Sequence, residues 1–548
     1  MSFAFMQLLY SFTIAMLLTA VLMPLAIRFA PALKLIDVPD PRKVHTRVIP
    51  RCGGLAMVLG ITTPLLWYLP PDTPLLHLFI GSIVIVLFGA LDDRNNLNYR
   101  WKFLGQILAV LIVMQGGVLI HRIPLMEFDG APAWLSYGLT FIFILGVTNA
   151  VNLTDGLDGL AAGTTLLALA ILFTLTQMSE NSNAAFISLT VIGGILGFLR
   201  YNTFPARVFM GDAGSQFLGF VTVCLSILVT QSDNCAVSPV LPLLILGLPV
   251  LDTTMVMIIR IAQGRSPFSP DRNHLHHQIM ALGFYHNEAV AIIYVLQIFL
   301  LSLAFTLRFA QDSLLLGIYL GFAASLILIL AFARSHNWKV RSDSTCDAAV
   351  ERRNFLLRKF EWFYQHSGYV IQTLVASLML LATAYPRPEG LGIRPITPIL
   401  IAVLAIVIFC FRRFPVWSTR ISVYSASVLS VYLFASNPAL QQWHTWINGT
   451  FIALFTLLCL AIRMTRREQF RLDTQDLLIL VVILVIPLLP FESINRYAIG
   501  EFALRLAVLM YSCEFIIGKS QGKASLTIVL AAMLSIVVAI AKAWHLAF

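Results

Sequence analysis

The sequence predicts an all-α, polytopic integral membrane protein of about 18 transmembrane helices, a core of about 11 followed by about 7 more. Three observations predict it. The chain has 548 residues, of which 58% are hydrophobic and only 12% charged, whereas a soluble domain carries about 25% charged residues. Its mean hydropathy is +0.84, and its apolar runs recur at the length of a membrane-spanning helix, about 17–25 residues. Short segments of alternating hydropathy, the mark of an outer-membrane barrel, are not seen. The net charge is +10, but its basic residues flank apolar runs as the positive-inside rule requires, and no nucleic-acid-binding motif accompanies them.

In chain order the expected spans lie near 7–28, 54–70, 76–91, 103–120, 134–150, 160–177, 184–199, 216–231, 239–259, 289–307 and 314–333. The first run has no basic stretch before it and reads as a span, not a cleaved leader. Most Lys and Arg fall in the loops after the odd-numbered spans. The N-terminus is therefore expected to be periplasmic and the odd loops cytoplasmic. The segment from Arg260 to about Asn287 reads as a polar loop. Residues 334–366 form a basic linker, in which Ala349 to Tyr364 can make an amphipathic interfacial helix: Phe355, Phe360 and Phe363 lie on one face, with Arg352, Arg353, Arg358 and Lys359 for anionic lipid. A plain linker is the alternative. Seven further runs follow near 367–385, 396–411, 419–435, 447–462, 475–491, 499–517 and 526–544. The expected division is thus 1–333, 334–366 and 367–548. Within the last part Glu501 and Arg505 sit four apart on one helix face and read as a structural pair. No motif of reactive residues appears after about 290. The seven cysteines are scattered without metal or disulfide spacing.

Polar groups at the ends of membrane helices are expensive and mark candidate sites. Asp92 and Asp93 close the third span. They read either as solvated end-of-helix carboxylates or as oxygen donors for a divalent cation or a phosphate. The string Asn149-Ala150-Val151-Asn152-Leu153-Thr154-Asp155-Gly156-Leu157-Asp158-Gly159-Leu160 follows the fifth span. Asp155 and Asp158 are three apart and on a helix would share a face, and the glycines allow close backbone approach. A glycine-rich helix break is the blander reading. Phe209-Met210-Gly211-Asp212-Ala213-Gly214-Ser215 opens the eighth span, where helix amides can meet a phosphate and Phe209 can stack on a base. Asp271-Arg272-Asn273-His274-Leu275-His276-His277 offers nitrogen donors that suit phosphate oxygens better than a hard cation. A metal site and a surface loop are its other readings. Lys43, His45, Arg47 and Arg51, and Lys102 after the Asp pair, are site residues or simply positive-inside charge. Asp252, costly inside the ninth span, has no role the sequence assigns.

These ordered motifs, namely Asp92-Asp93, NAVNLTDGLDGL, Asn202 ten residues before Asp212 in VFMGDAGS, and DRNHLHH, resemble the polyprenyl-phosphate N-acetylhexosamine-1-phosphate transferases, the MraY/WecA group, over roughly residues 1–330. DRNHLHH is similar to the WecA branch. Ile49-Pro50-Arg51-Cys52-Gly53-Gly54 departs from the MraY branch, which uses UDP-MurNAc-pentapeptide. The resemblance implies transfer of a sugar-1-phosphate, GlcNAc-1-phosphate first among them, from a UDP-sugar to undecaprenyl phosphate. UMP is released and cell-envelope polysaccharide synthesis begins. It implies magnesium, with manganese as a substitute, held by Asp212 and further by Asn152. Asp92, Asp93, Asp155, Asp158, His276 and His277 are implied in catalysis, with Asp92 at the lipid phosphate. Lys102, Asn149, Asn152, Asn202, Phe209, Arg272 and His274 are implied in substrate binding, Phe209 as the uracil platform. The expected setting is the bacterial cytoplasmic membrane with the site facing the cytoplasm; a homodimer is an arrangement open to it. A lipid or solute transporter and a non-catalytic scaffold are the rival classes. A transporter is expected to show inverted repeats and matching broken helices, which the sequence does not display.

Overall fold

In a bilayer core no water satisfies the peptide groups, so each apolar run must bond its own backbone as a helix. The computed structural model describes residues 3–38, 48–68, 73–125, 132–176, 182–232, 236–266, 273–341, 361–384, 401, 415–437, 440, 442–464, 499–519 and 526–545. The described residues form 18 helices in two compact units, one within residues 1–342 and one from 343 onward.

The first unit contains α1 (Phe3–Phe29), α2 (Gly53–Tyr68), α3 (Thr73–Asn95), α4 (Tyr99–Gln115), α5 (Ala133–Thr154), α6 (Leu160–Thr176), α7 (Ser182–Asn202), α8 (Gly211–Thr230), α9 (Leu241–Ile245), α10 (Gly247–Ala262), α11 (Leu275–Ala281), α12 (His286–Thr306) and α13 (Asp312–Ser335). Between α1 and α2, β1 (Ile36–Asp37) pairs antiparallel with β2 (Ile49–Pro50). This small ladder is an addition to the all-α expectation. Burial sorts the helices: the apolar window of α8 is 94% buried and that of α7 78%, against 17% for α1, so α7 and α8 are central and α1 faces lipid. Small residues let helices approach closely. Side chains at Gly193 and Gly197, four apart on α7, would strike the backbone of α1.

Nine helices among the described residues are long and apolar enough to cross a membrane; of the 18 expected runs, two lie almost wholly outside the described residues. Helices α2 and α6 are short. The expected span at 239–259 is broken into α9 and α10 at Leu246. The supposed loop 260–287 contains α11.

The second unit contains α14 (Glu361–Ala384), α15 (Pro415–Ser436), α16 (His444–Met464), α17 (Ile499–Lys519) and α18 (Leu526–His545). Helix α14 packs against the other four, around Val375, Met379, Val423, Leu454, Leu509 and Ile536. Helix α17 carries Glu501, Arg505 and Glu514 along its length. The Glu501–Arg505 pair forms at 2.5 Å, joined by Asn448 and His444 of α16. The runs near 396–411 and 475–491 lie outside the described residues, residue 401 excepted, as does the amphipathic stretch Ala349 to Tyr364 up to residue 360.

Candidate functional site

The last turns of α3 bury Asp92 and Asp93, and their roles differ. Asp93 caps α8: its Oδ1 accepts the amide of Asp212 at 2.8 Å and its Oδ2 that of Ala213 at 3.1 Å. The first amides of a helix have no intrahelical partner and favour an anion. Each Asp93 oxygen thus bonds an amide at the start of α8, so the side chain acts as a helix cap. Gly211, at φ +74°, turns the chain into α8, and a methyl there would collide with Asp93.

Asp92 takes the Leu97 amide on Oδ1 at 2.7 Å. Its Oδ2 meets the Lys102 ammonium at 2.5 Å, and the same ammonium lies 2.7 Å from Asp212 Oδ2. Lys102 is therefore a bridge between two carboxylates brought together from α3 and α8, not an unattached positive-inside charge.

Helix α5 ends at Thr154, so Asp155 and Asp158 sit in a tight turn before α6 and do not share a helical face. Asp158 Oδ2 accepts the Ala206 amide at 2.9 Å. Asp155 is half-buried. Its pKa is pushed up from 3.8 to about 7, first by burial and then by the negative charge of Asp212, Asp158 and Asp93. Burial also lifts the Cys52 thiol to about 11, so it is not a thiolate nucleophile at neutral pH.

Several of the residues expected to contact substrate make ties between segments. Asn202 is buried; its Nδ2 donates to Val208 O at 2.9 Å and its Oδ1 accepts from Gly159 N at 3.0 Å. Asn149 and Gln106 exchange amide hydrogen bonds at 2.8 and 3.1 Å, and Gln106 continues to Gln216 at 3.0 Å. Asn152 Oδ1 accepts the Ser215 hydroxyl at 2.5 Å, which leaves it beside the first turn of α8. Gln106 and Gln216 escaped the sequence reading, although amides inside apolar runs are a readable signal.

The histidine motif is also packed. Asp252 of α10, unassigned from sequence, accepts the Leu275 amide at 2.6 Å and pairs with His274 Nδ1 at 3.0 Å. It thereby starts α11 and holds the His274 ring. His276 is buried, with its ring against Gly156, where a methyl would strike it. Burial, then the neighbouring His277, His274 and His286, hold its pKa down at about 3, so it is neutral and packed here. A cavity of about 20 Å³ between Thr154, Thr164, Asp252 and His276 has room for a water. His277 is half-buried, its ring 4.2 Å from that of His276. Phe209 is half-buried too, its backbone bonded to Pro50 O at 2.7 Å and Gly53 N at 3.0 Å. Arg51 pairs with Asp37 at 2.7 Å. Asp271, Arg272, Lys43, His45 and Arg47 lie outside the described residues.

Among the described residues no three His, Cys, Asp or Glu side chains group as metal ligands. Magnesium needs no such cage, because it takes one or two carboxylates together with water and phosphate oxygens. The donor chemistry here fits that habit. Asp212 and Asp92 present hard oxygens, and the surplus of carboxylates that raises Asp155 is one a divalent cation relieves.

Comparison with known proteins follows this geometry. The family model described as glycosyl transferase family 4 matches residues 75–230, which run from α3 to the end of α8. A probable undecaprenyl-phosphate N-acetylglucosaminyl 1-phosphate transferase of Bacillus subtilis is 35% identical over 293 residues, 53% of this chain and 82% of the relative. The undecaprenyl-phosphate alpha-N-acetylglucosaminyl 1-phosphate transferase of Escherichia coli O157:H7 is 30% identical, over 59% of this chain and 90% of the relative. The decaprenyl-phosphate N-acetylglucosaminephosphotransferase of Mycolicibacterium smegmatis is 33% identical, over 56% and 83%. The chain is a multi-pass membrane protein that belongs to glycosyl transferase family 4, the MraY/WecA group.

Proposed function

We propose that the protein transfers GlcNAc-1-phosphate from UDP-GlcNAc to undecaprenyl phosphate and releases UMP, at the cytoplasmic face of a bacterial inner membrane. The observation that carries this reading is the convergence of Asp92, Lys102 and Asp212 at the N-terminus of α8, beside the turn that holds Asp155 and Asp158. Phosphoryl transfer asks mainly for positioning and for balance of charge, and this arrangement supplies both.

In the proposed reaction an oxygen of the lipid phosphate attacks the β-phosphorus of the UDP-sugar. The bond from that phosphorus to the oxygen bridging to the α-phosphorus breaks, and UMP leaves with the bridging oxygen. A phosphate monoester has a second pKa near ~6, so the attacking group is largely a dianion and Asp92 orients it more than it deprotonates it. Lys102 follows the charge on the transferring phosphoryl oxygens. Asp155, poised near neutrality, carries or shares a proton beside the sugar-phosphate. Phe209 stacks on the uracil, and His277, the more open of the two adjacent histidines, faces the diphosphate. Asp212, with Asn152 close by, would hold magnesium, whose charge would neutralise the diphosphate. The alternative is a two-step route in which a carboxylate oxygen of Asp92 or Asp93 attacks the β-phosphorus and releases UMP, and the lipid phosphate then attacks that phosphorus and frees the carboxylate.

The test is transfer of label from UDP-GlcNAc to undecaprenyl phosphate by the purified chain, with magnesium or EDTA and with Asp212→Asn alongside. Magnesium-dependent lipid product lost in the variant supports the reading. Product only from another UDP-N-acetylhexosamine, or from UDP-MurNAc-pentapeptide, changes the donor. No product from any UDP-sugar overturns it.

A further inference from the structure

The turn that carries Asp155 and Asp158 is short and rich in glycine, so something must hold it in one conformation. Four of its five amides have partners. Asp155 N donates to Asn152 O at 3.2 Å and Gly156 N to Thr154 O at 2.8 Å, both within the turn. Gly159 N is taken by Asn202. The Asp158 amide is taken from outside the family-matched stretch: it donates to Nε2 of His286, the first residue of α12, at 3.1 Å.

His286 has two further features. Its ring stacks on Phe204 with centroids 4.3 Å apart and planes 27° apart, and Phe204 lies two residues before Ala206, whose amide binds the Asp158 carboxylate. Eight residues along α12, Tyr294 donates its hydroxyl to Gly159 O at 2.7 Å. Helix α12 thus grips the turn twice, once as acceptor and once as donor.

We infer that His286 is a positioning residue for the transfer reaction: as a neutral imidazole accepting the Asp158 amide while stacked on Phe204, it locks the 155–159 turn to the 203–207 segment and so sets where Asp155 and Asp158 meet the nucleotide-sugar. The inference rests on the proposed reaction for its kinetic consequence, but not for its structural one. Accepting an N–H requires a lone pair on Nε2, so the proton sits on Nδ1. A misplacement of the turn by about 1 Å is enough to lower the rate by up to ~100-fold.

Two substitutions separate the two contacts. His286→Phe keeps a ring against Phe204 and removes the acceptor; His286→Gln keeps an acceptor and removes the ring. Both are made in the full chain in lipid nanodiscs and read by amide hydrogen exchange and by transfer kinetics. His286→Phe is expected to speed exchange of the segment 154–160 at least about tenfold, with α8 unchanged, and to lower kcat/KM for UDP-GlcNAc at least about tenfold, with KM for undecaprenyl phosphate within about twofold. His286→Gln, which keeps the acceptor but loses the stack on Phe204, is expected to show a smaller loss than His286→Phe in both. Wild-type exchange and kinetics in His286→Phe overturn the inference. So does equal loss in both variants, or exchange that rises across the whole first unit. If the wild-type chain transfers from no UDP-sugar, the proposed reaction fails, and the exchange measurement still decides whether His286 holds the turn.

Discussion

Asp93 closes both carboxylate oxygens on the start of α8, one of them on the amide of Asp212 itself at 2.8 Å. The two aspartates are 119 positions apart, and the first fixes the backbone that aims the second. Asp93→Asn replaces one acceptor by a donor facing a donor. It is expected to destabilise the protein by about 1.5–3 kcal/mol, the range for a hydrogen bond to a charged group, and to abolish transfer through displacement of Asp212. Asp92→Asn keeps an acceptor for Leu97 and is expected to lose transfer with little change in thermal midpoint. Equal midpoints for the two variants contradict this division of labour.

Lys102 stands between Asp92 and Asp212 at 2.5 and 2.7 Å. Lys102→Met leaves those carboxylates facing each other and is expected to lower kcat/KM at least ~100-fold, in line with the loss of a preorganised charge in a transfer site. Lys102→Arg is expected to recover little, because a planar guanidinium does not replace a compact ammonium held by two carboxylates. Steady-state kinetics at saturating magnesium checks both, and a Lys102→Met enzyme of ordinary rate removes Lys102 from the phosphate chemistry.

His276 gives a pH dependence of definite sign. Its folded pKa of about 3 lies below the ordinary 6.5, so between those values the unfolded chain binds a proton that the folded chain refuses. Stability from this group is complete above about pH 6.5 and falls as pH drops toward 3, by up to ~1.4 kcal/mol per pH unit. Thermal midpoints of wild type and His276→Gln, measured from pH 7.5 to 4.5 with EDTA, are expected to converge as the pH falls. Parallel curves refute it.

Gly156 has no room for a methyl beneath the His276 ring. Gly156→Ala is expected to cost about 1–3 kcal/mol of overpacking and to lower transfer at least about tenfold by moving the Asp155 turn against α11. Pairing it with His276→Ala, which opens the space, is expected to restore the midpoint in part; additive losses count against the contact.

In the second unit Arg505 is buried, bonded to Glu501 at 2.5 Å and to Asn448 at 2.7 Å. Removing one partner of such a pair strands the other, at a cost of about 3–5 kcal/mol for a fully buried pair. Glu501 is partly exposed, so Arg505→Met is expected at or below the lower end. The double variant Arg505→Met with Glu501→Gln is expected to recover at least half of that loss. Near the other end of α17, Glu514 is held by Arg420 at 2.8 Å and by the Tyr424 hydroxyl, and it serves as an independent comparison.

Much of this was legible beforehand. The eleven runs of the first unit appear as helices, and five of the seven later runs do so within the described residues. Asp92, Lys102 and Asp212, which lie in separate motifs, meet in the structure. What was not legible was the division of roles among neighbours. The Asp155 and Asp158 spacing suggested a helical face, but α5 stops at Thr154 and the glycines after it make a turn. The histidine string looked like an open loop. The residue that buries it, Asp252, lies 23 positions before Leu275 and announced itself only as a costly charge in an apolar run.

By itself the sequence determined the membrane class, the order of the helices and the family, because hydropathy and short motifs are local properties of a chain. The tertiary structure alone decided which carboxylate meets Lys102 and which one caps α8. Adjacent residues on an α-helix point about 100° apart, so Asp92 and Asp93 reach different neighbours. Which neighbour waits in each direction, Lys102 or the amides of α8, is set by packing between segments as much as 120 positions apart.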